Sequence, residues 1–394
     1  MRILHIVNHF KPSIGYQETF LAKIQSEKGH DVRVITSDDY DPTLVGISIE
    51  RIRNKKEIRG LHLEEGVEVV RLPGIMHHPL SNMVFLRGLG HEITEFNPDA
   101  IHVHGVIHLT ALRVALMRNG FKKASLIFDD HMTYAVIRGR SVIPFYKIYK
   151  AFFARMIERR SDMLVAITQD TKRFMEKIYG FHDDRIRVIP LGCDTRLFKR
   201  DMGSRMRLRE KYGIEKDTIL FCNAGKFTPK KGIHTLVQAA IQLLAEKRNI
   251  AVLCVGSGDQ SYLDSIRKEI EDNNLIGKFI FIPQVPNSEL PMYYSMADIG
   301  VWPREVSITM LEAMSCNLPI IISDKSVMIE RIVSGSTGEI YREDDILDLK
   351  TKMEKLLDLD LLTRMGIEAR RYAEKNDWRI ISEQFERLYS RTYQ

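Results

Sequence analysis

The sequence has few of the features that mark membrane, secreted or disulfide-bonded proteins. No uncharged apolar run among its 394 residues approaches the roughly 18 residues that a membrane-spanning helix needs. The four cysteines are scattered without paired spacing, which argues against a disulfide or zinc framework. The N-terminal segment has only a short apolar stretch and no small-residue cleavage site, so it predicts a first strand rather than a signal peptide. A cytoplasmic protein is therefore expected.

Two further classes of protein are disfavoured by missing motifs. The first strand lacks the glycine fingerprint of dehydrogenases, and Val255-Gly-Ser-Gly258 lacks its third glycine. No recognisable nucleic-acid-binding module occurs in the chain, so nucleic acid is not expected as a partner.

The chain does contain strand-like apolar runs that alternate with helix-like amphipathic runs. This alternation is typical of a mostly parallel, doubly wound α/β sheet, and the length of the chain favours two such domains. We expect ligands to bind in a cleft at the carboxyl ends of the strands. The strand-like runs are Arg2–Val7, Asp31–Thr36, Val67–Leu72, Ile101–His104, Ser125–Phe128, Met163–Ile167 and Arg187–Ile189, then Thr218–Cys222, Ala251–Val255, Phe279–Ile282, Asp298–Trp302 and Pro319–Ile322.

The most informative segment is Ala224–Gly232, a glycine-bounded basic loop between a strand-like run and the helix-like run Ile233–Ala245. Such a loop can direct backbone N–H groups, a helix N-terminus and ammonium groups towards one anion. The two lysines Lys226 and Lys231 suit a diphosphate better than a single carboxylate. The loop therefore predicts a nucleoside-diphosphate ligand.

Charge is distributed unevenly along the chain, with an excess of lysine and arginine over residues 101–200 and of acidic residues over 251–350. The segment 138–160 includes Pro144–Arg160, a helix-like run that mixes aromatic and basic residues. One interpretation is peripheral contact with an anionic membrane at its inner face, where a lipid-linked acceptor would lie. The alternative interpretation, a core helix whose polar face is solvated, is slightly favoured over membrane contact.

Several short motifs occur in an order that resembles family 4 of the retaining glycosyltransferases, which have the GT-B fold. The resemblance extends from Met1 to about Tyr393, and it implies two Rossmann-like domains around a central cleft. The implied domains are 1–195 for the acceptor and 196–375 for the nucleotide sugar, with a C-terminal helix at about 376–394 returning to the first domain. The motifs are Pro12–Glu18, Lys28–Val32, Ile189–Phe198, Ala224–Gly232, Val255–Gly258 and Leu311–Pro319.

The resemblance assigns the donor-binding residues. Lys226 stands at the family's usual arginine position and Lys231 at its lysine, and both would offset the charge of the leaving diphosphate. Glu312 matches the glutamate that binds the ribose hydroxyls. Where the family has another glutamate, eight residues earlier, this chain has Arg304, followed by Glu305. The favoured explanation is a loop one residue shorter, with Glu305 reaching the sugar; the alternative is altered sugar recognition. The remaining residues implied to bind substrate here are Gly225, Ser307, Ile308 and Thr309.

On the acceptor side, the resemblance assigns a catalytic role to His131 and substrate binding to Gly15 and Tyr16. Tyr16 replaces the family's second glycine and narrows the space there. His102 and His104 alternate on one strand and so face the same side, and with His108 they raise the question of zinc. No cysteine or carboxylate completes a recognisable metal-ligand spacing, so a packing or cleft-lining role is favoured and no metal is expected.

The function implied is metal-independent, retaining transfer of a sugar from a nucleoside-diphosphate sugar, with UDP or GDP expected as the nucleotide. The acceptor would be a glycan or lipid-linked glycan, as in cell-surface polysaccharide synthesis, and no cofactor is required. Two alternatives stay open. One is a nucleotide-sugar epimerase or phosphorylase of similar architecture, and the other is a non-catalytic glycosyltransferase-like subunit, suggested by the irregular loop at Arg304 and Glu305.

Overall fold

The computed structural model describes residues 1–12, 15–38, 58–78, 83–134, 143–305 and 307–390. The chain divides into two compact units. Met1–Leu191 and Trp378–Gln394 form the first unit, and Gly192–Asp377 form the second. The first boundary therefore falls after residue 191, where the sequence predicted 195.

Parallel strands with helices between them build the first unit. The strands are β1 (Arg2–Ile6), β2 (Asp31–Ser37), β3 (Gly60–Glu64), β4 (Val67–Leu72), β5 (Gly74–His78), β6 (Met83–Leu86), β7 (Ala100–His104), β8 (Ser125–Asp130), β9 (Met163–Ala166) and β10 (Ile186–Val188). Among the described residues, eight of them form one sheet in the order β10-β9-β8-β7-β1-β2-β4-β3. Only β3 runs antiparallel to its neighbour within that described sheet, and β5 and β6 form a separate antiparallel pair.

The helices of the first unit are α1 (Gln17–Glu27), α2 (Leu89–Phe96), α3 (Leu109–Leu116), α4 (Ile143–Ile148), α5 (Arg155–Arg160), α6 (Gln169–Phe174) and, from the end of the chain, α14 (Trp378–Ser390). Two π-helical segments, Tyr149–Ala154 and Met175–Tyr179, continue α4 and α6. Every residue of β7 and β8 is buried. Parallel sheets covered by helices on both faces contain strands that are buried on both sides in this way.

The second unit repeats the plan. Its strands are β11 (Ile219–Ala224), β12 (Ile250–Val255), β13 (Phe279–Ile282), β14 (Ile299–Trp302), β15 (Ile320–Ser323) and β16 (Gly338–Tyr341). They form a parallel sheet in the order β13-β12-β11-β14-β15-β16. Its helices are α7 (Met202–Lys211), α8 (Ile233–Ala245), α9 (Gln260–Asp272), α10 (Leu290–Met296), α11 (Thr309–Ser315), α12 (Ile346–Lys355) and α13 (Leu359–Lys375).

Each unit has a point where the strand order reverses direction, which is where open α/β sheets bind ligands. In the first unit, β1 lies between β7 and β2; in the second, β11 lies between β12 and β14. The loop after β1 leads to Gly15 and Tyr16, and the loop after β11 is the predicted phosphate loop. The topology therefore puts predicted site residues at the carboxyl ends of the central strands of both sheets.

The α/β class predicted from the sequence is confirmed, and so is the return of the C-terminal helix, since α14 packs on α1 and β8 of the first unit. The predicted helix Pro144–Arg160 is present as α4, a π-helical segment and α5. Part of the proposed membrane-contact segment, residues 138–142, lies outside the described residues. A bilayer-spanning helix would need greater length and more apolar side chains than any helix among the described residues has.

Candidate functional site

The predicted phosphate loop of the second unit, residues Ala224–Gly232, is held against its own sheet by backbone contacts. Gly225 N donates to Val255 O at 3.0 Å, and Phe227 N donates to Ser257 O at 3.0 Å. A Cβ atom at Gly256 would lie 1.9 Å from Gly225 O, and one at Gly258 would lie 2.2 Å from Phe227 O. The glycines of Val255–Gly258 are therefore needed for close packing against this loop, and they shape it.

The two lysines of this loop have different surroundings. Lys226 is exposed, whereas Lys231 is partly buried at the end of the short 3-10 turn Pro229–Lys231 that precedes α8. Lys231 Nζ donates to Glu305 O at 3.2 Å. Burial lowers the pKa of Lys231; Glu305 opposes that shift, and Lys226 adds to it. The two ammonium groups therefore repel each other, as expected where a polyanion is to be bound.

The segment after β14 is tied to the phosphate loop by Arg304. Arg304 Nε donates to Asp344 Oδ1 at 2.7 Å, and Nη1 donates to Pro229 O at 2.9 Å. Glu305 N donates to Lys230 O at 3.3 Å. The residue that replaces the expected glutamate thus links two loops of the site. Val306, between Glu305 and Ser307, lies outside the described residues.

The start of α11 carries the next predicted residues. Thr309 Oγ1 donates to Ala224 O at 3.1 Å and lies 2.7 Å from Ser307 Oγ. Trp302 Nε1 donates to the same Thr309 oxygen at 3.2 Å. These hydroxyl groups are engaged inside the loop, so a phosphate here would be bound by backbone N–H groups. Ile308 immediately precedes α11, which begins at Thr309, and the first turn of a helix leaves such N–H groups without intrahelical partners.

Glu312 lies in the first turn of α11 and is only 2% exposed. Its Oε1 accepts a hydrogen bond from Asn287 Nδ2 at 3.4 Å, and its Oε2 has no partner among the described residues. Burial raises the pKa of Glu312 to about 8, an effect that the Asn287 hydrogen bond opposes. A buried carboxyl group with a free oxygen marks a place where a donor of hydrogen bonds is missing.

In the first unit, the predicted residues gather at the carboxyl end of β8 and the start of α1. Gly15 has a positive φ of 70°, which favours glycine, and its N–H donates to Pro12 O at 3.0 Å. Tyr16 is 41% exposed and immediately precedes α1. His131 follows β8 with its side chain 43% exposed, and its Nε2 lies 3.9 Å from Asp129 Oδ2.

Asp129 was not predicted from the sequence, yet it is the most heavily contacted carboxylate of this end of the sheet. Its Oδ2 accepts from His104 Nδ1 at 2.7 Å and from Gln17 Nε2 at 2.9 Å, and lies 3.1 Å from His102 Nε2. Its Oδ1 accepts from Gly105 N at 3.1 Å. The sequence signal was the position of Asp129 at a strand end, two residues before His131.

The three histidines that the structure brings together are not the three that the sequence suggested. His5, rather than His108, joins His102 and His104, and nitrogen atoms of these three buried side chains lie within 4.8 Å of one another. The His102 and His104 rings are 4.2 Å apart and tilted by 34°, and His5 stacks on His104 at 15°. The His5 and His102 rings are 5.5 Å apart and tilted by 45°.

Protein groups also contact the nitrogens of these rings. His5 Nδ1 lies 3.0 Å from His104 Nε2, and His5 Nε2 lies 2.8 Å from Gln25 Oε1. His102 Nδ1 lies 2.9 Å from Tyr389 Oη. This arrangement favours a hydrogen-bond network over a metal centre. An exposed group, His91, Glu92 and Glu95, also has metal-ligand spacing, as acidic surface groups often do.

Comparison with known proteins relates both units to described families. The family described as "Glycosyltransferase Family 4" matches residues 20–197, and that described as "Glycosyl transferases group 1" matches residues 204–376. The two matches together cover most of the chain.

Curated relatives match over shorter stretches. A GDP-mannose-dependent alpha-(1-6)-phosphatidylinositol monomannoside mannosyltransferase of Mycolicibacterium smegmatis is 26% identical, over 57% of this chain and 61% of that protein. A D-inositol 3-phosphate glycosyltransferase of Nocardia farcinica is 27% identical, over 60% of this chain and 54% of that protein. The chain therefore spans less than two thirds of the length of these relatives.

Solved structures match over nearly the whole chain. A glycosyltransferase from Rickettsia africae has a TM-score of 0.75 at 17% identity, covering 100% of this chain and 98% of that one. Sucrose-phosphate synthase from Thermosynechococcus elongatus has a TM-score of 0.75 at 19% identity, covering 100% of this chain and 99% of that one. Identities this low show the fold alone. The two family matches show that the chain belongs to family 4 of the glycosyltransferases, and its fold is GT-B.

Proposed function

We propose that the protein transfers a sugar from a UDP- or GDP-sugar to a glycan or lipid-linked glycan, with retention of anomeric configuration and without a metal ion. The observation that carries this proposal is the grouping, within the second unit, of a cationic glycine-rich loop and a buried carboxyl group with a free oxygen at Glu312. Relatives named as mannosyltransferases and inositol phosphate glycosyltransferases support it. An O-antigen chain mannosyltransferase of Salmonella typhimurium, 26% identical, supports a role in surface polysaccharide synthesis.

In this proposal, the second unit binds the donor. Lys226 and Lys231 offset the negative charge that grows on the diphosphate as the glycosidic bond breaks. Lys231 is positioned by its hydrogen bond to Glu305 O, while the exposed Lys226 closes over the phosphates. The ribose hydroxyl groups would satisfy the free oxygen of Glu312, because a vicinal diol offers two O–H donors to a carboxylate. Glu305, one residue beyond the family position, would contact the sugar.

The first unit would present the acceptor. Gly15 and Tyr16 shape the loop that precedes α1, and His131 stands at the end of β8. We assign no covalent nucleophile. The bond between the anomeric carbon and the phosphate oxygen breaks while the acceptor oxygen bonds to the same face of that carbon. The departing phosphate oxygen takes the acceptor's proton, so the products are the glycoside and the nucleoside diphosphate.

Membrane contact by the first unit remains part of the proposal. Ile148 and Phe152 are exposed, at 54% and 71%, and the neighbouring Lys147 and Lys150 are exposed too. Exposed apolar side chains beside lysines suit the interface of an anionic bilayer. Tyr149, by contrast, is buried and donates to Val106 O at 2.9 Å, so this helical stretch has one face in the core.

A panel of UDP-, GDP- and ADP-sugars tests the proposal. A ligand that binds only the folded protein raises its melting temperature with concentration. We expect one nucleotide sugar to stabilise the protein more than its nucleoside monophosphate does, and to be slowly hydrolysed. Release of a sugar phosphate without any acceptor would instead indicate a phosphorylase, and absence of stabilisation and hydrolysis with every donor would contradict the proposal.

Arg304→Ala is expected to raise the KM for the donor by about 10-fold, with a smaller effect on kcat. Arg304 links Asp344 to the phosphate loop, so its removal would loosen the loop that positions Lys231 without removing a group that touches the reacting atoms. Steady-state kinetics at saturating acceptor measure this effect. Arg342→Ala is the matched control, because Arg342 makes an exposed ion pair with Asp345. Equal kinetics for the two variants would contradict the role of Arg304.

A further inference from the structure

The carboxylate of Asp129 connects three elements of the acceptor-binding unit. It accepts hydrogen bonds from Gln17 on α1, from His104 on β7 and from the backbone N–H of Gly105. It is completely buried, and its Oδ2 lies 3.9 Å from His131 Nε2. A buried carboxylate persists only where its lone pairs are occupied by donors, and here they are.

The donors around Asp129 determine its charge. The backbone N–H of Gly105 donates to Oδ1 of Asp129 and the side-chain NH2 of Gln17 donates to Oδ2, so Asp129 accepts hydrogen bonds on both oxygens, and His104 Nδ1 lies 2.7 Å from Oδ2. Burial by itself would raise the pKa of Asp129, but His104 and His102, with His131, hold it well below its usual range. His5 and Gln25 extend the same network behind His104. Asp129 is therefore ionised at neutral pH.

The surroundings of His131 are mainly acidic. Asp129 and Asp130 approach it from β8, and Glu18 approaches it from α1, while His102 on β7 opposes them. Loss of solvation lowers the pKa of His131, but the charge of Asp129, whose Oδ2 lies 3.9 Å from His131 Nε2, and the charges of Glu18 and Asp130 raise it, and the net direction is upward.

We propose that Asp129 is a positioning residue that holds His131 as an imidazolium, with Nε2 facing the Asp129 carboxylate, at the carboxyl end of β8. The inference rests on the proposed function only for what His131 then does. A doubly protonated ring cannot accept the proton of an acceptor hydroxyl, so His131 would not be a general base. It would instead present a positive charge and its Nδ1–H to an anionic or hydroxyl-bearing substrate, which complements proton transfer to the leaving phosphate.

Nuclear magnetic resonance of the wild-type full chain, with isotope-labelled histidine, tests the charge of His131 directly. The variant His131→Gln identifies the signal, because that signal alone disappears. We expect His131 to titrate above the ordinary value of 6.5. Titration at or below 6.5 in the wild-type protein would overturn the proposal, whether or not any Asp129 variant folds.

The variant Asp129→Asn identifies the source of the charge. Removing an opposite charge at this distance should lower the pKa of His131 by about one unit, a 10-fold loss of proton affinity. Glu18→Gln is the matched control, and we expect it to lower the His131 pKa by less. An equal or larger shift in Glu18→Gln would assign the effect to Glu18 and reject Asp129.

Activity separates this inference from the proposed function. If the wild-type protein transfers sugar, Asp129→Asn should move the alkaline limb of its pH–rate profile to lower pH while nucleotide binding stays unchanged. A purely structural role for Asp129 would lower the rate at every pH without moving the limb. If no donor supports transfer, the proposed function fails, and the titration of His131 still decides whether Asp129 holds it charged.

Discussion

Lys231→Ala is expected to lower kcat/KM for sugar transfer by about 100- to 1000-fold, the usual cost of removing one preorganised group that stabilises developing negative charge. The ammonium group of Lys231 is partly buried and is aimed by its hydrogen bond to Glu305 O, so it needs little reorganisation when charge develops on the diphosphate. Binding of UDP or GDP should weaken by about 10- to 100-fold, as expected for lost hydrogen bonds to a charged group. Steady-state kinetics and calorimetric titration measure the two effects.

Lys230→Ala is the matched control for this prediction. Lys230 is the same residue type, one position earlier in the same turn, but its side chain is exposed. Its backbone oxygen accepts from Glu305 N, and the substitution leaves that contact in place. We expect near wild-type kinetics for Lys230→Ala. Wild-type transfer and nucleotide affinity in purified, folded Lys231→Ala would refute the assignment of the phosphate loop.

The strands that could be predicted from the sequence are those buried on both faces. Runs such as Ala251–Val255 and Leu126–Phe128 are continuously apolar, as expected of central parallel strands. The sequence missed β3 because its residues are partly or largely exposed at the sheet edge, where pairing with β4 rather than burial defines the strand. The sequence also missed β16. This strand contains Gly338, where a Cβ atom would lie 1.9 Å from Ile320 O, so a glycine is required there.

The candidate site was predictable where one short segment carries it. Lys226 and Lys231 stand between glycines on a strand–loop–helix pattern, and that local pattern is enough to predict an anion site. Asp129 depends on partners from α1 and β7 that are distant in sequence, so its place at a strand end does not by itself indicate its role. The link from Arg304 to Asp344 likewise joins residues 40 positions apart. Long-range contacts of this kind require the topology of the sheet.

Glu312→Gln is expected to weaken nucleotide binding by about 10- to 100-fold and to remove its dependence on pH. With its pKa raised to about 8, the buried Glu312 of the free protein is neutral at pH 7. Ribose hydroxyl groups would donate to the ionised form, so nucleotide binding releases a proton, and wild-type affinity should rise with pH up to about 8. Glutamine keeps the shape of the neutral acid but cannot ionise. Calorimetric titration of UDP or GDP at several pH values, from about two units below that pKa up to it, measures the difference.

The same substitution has a signature in the free energy of unfolding. The folded chain keeps the Glu312 proton up to a pKa of about 8, whereas the unfolded chain releases it near the ordinary glutamate pKa of 4.5. Stability contributed by this group is therefore complete below the lower value and is lost as pH rises through the higher one, at about 1.4 kcal/mol per pH unit between them. Urea unfolding should show wild type losing stability relative to Glu312→Gln as pH rises.

The Asp130 carboxyl, whose pKa burial raises to about 7, titrates in both proteins and cancels in the difference. Glu271→Gln, an exposed position on α9, is the control expected to show no trend. A difference in unfolding free energy that stays flat with pH would show that Glu312 is ionised in the folded protein, and the proton release on nucleotide binding would then be absent as well.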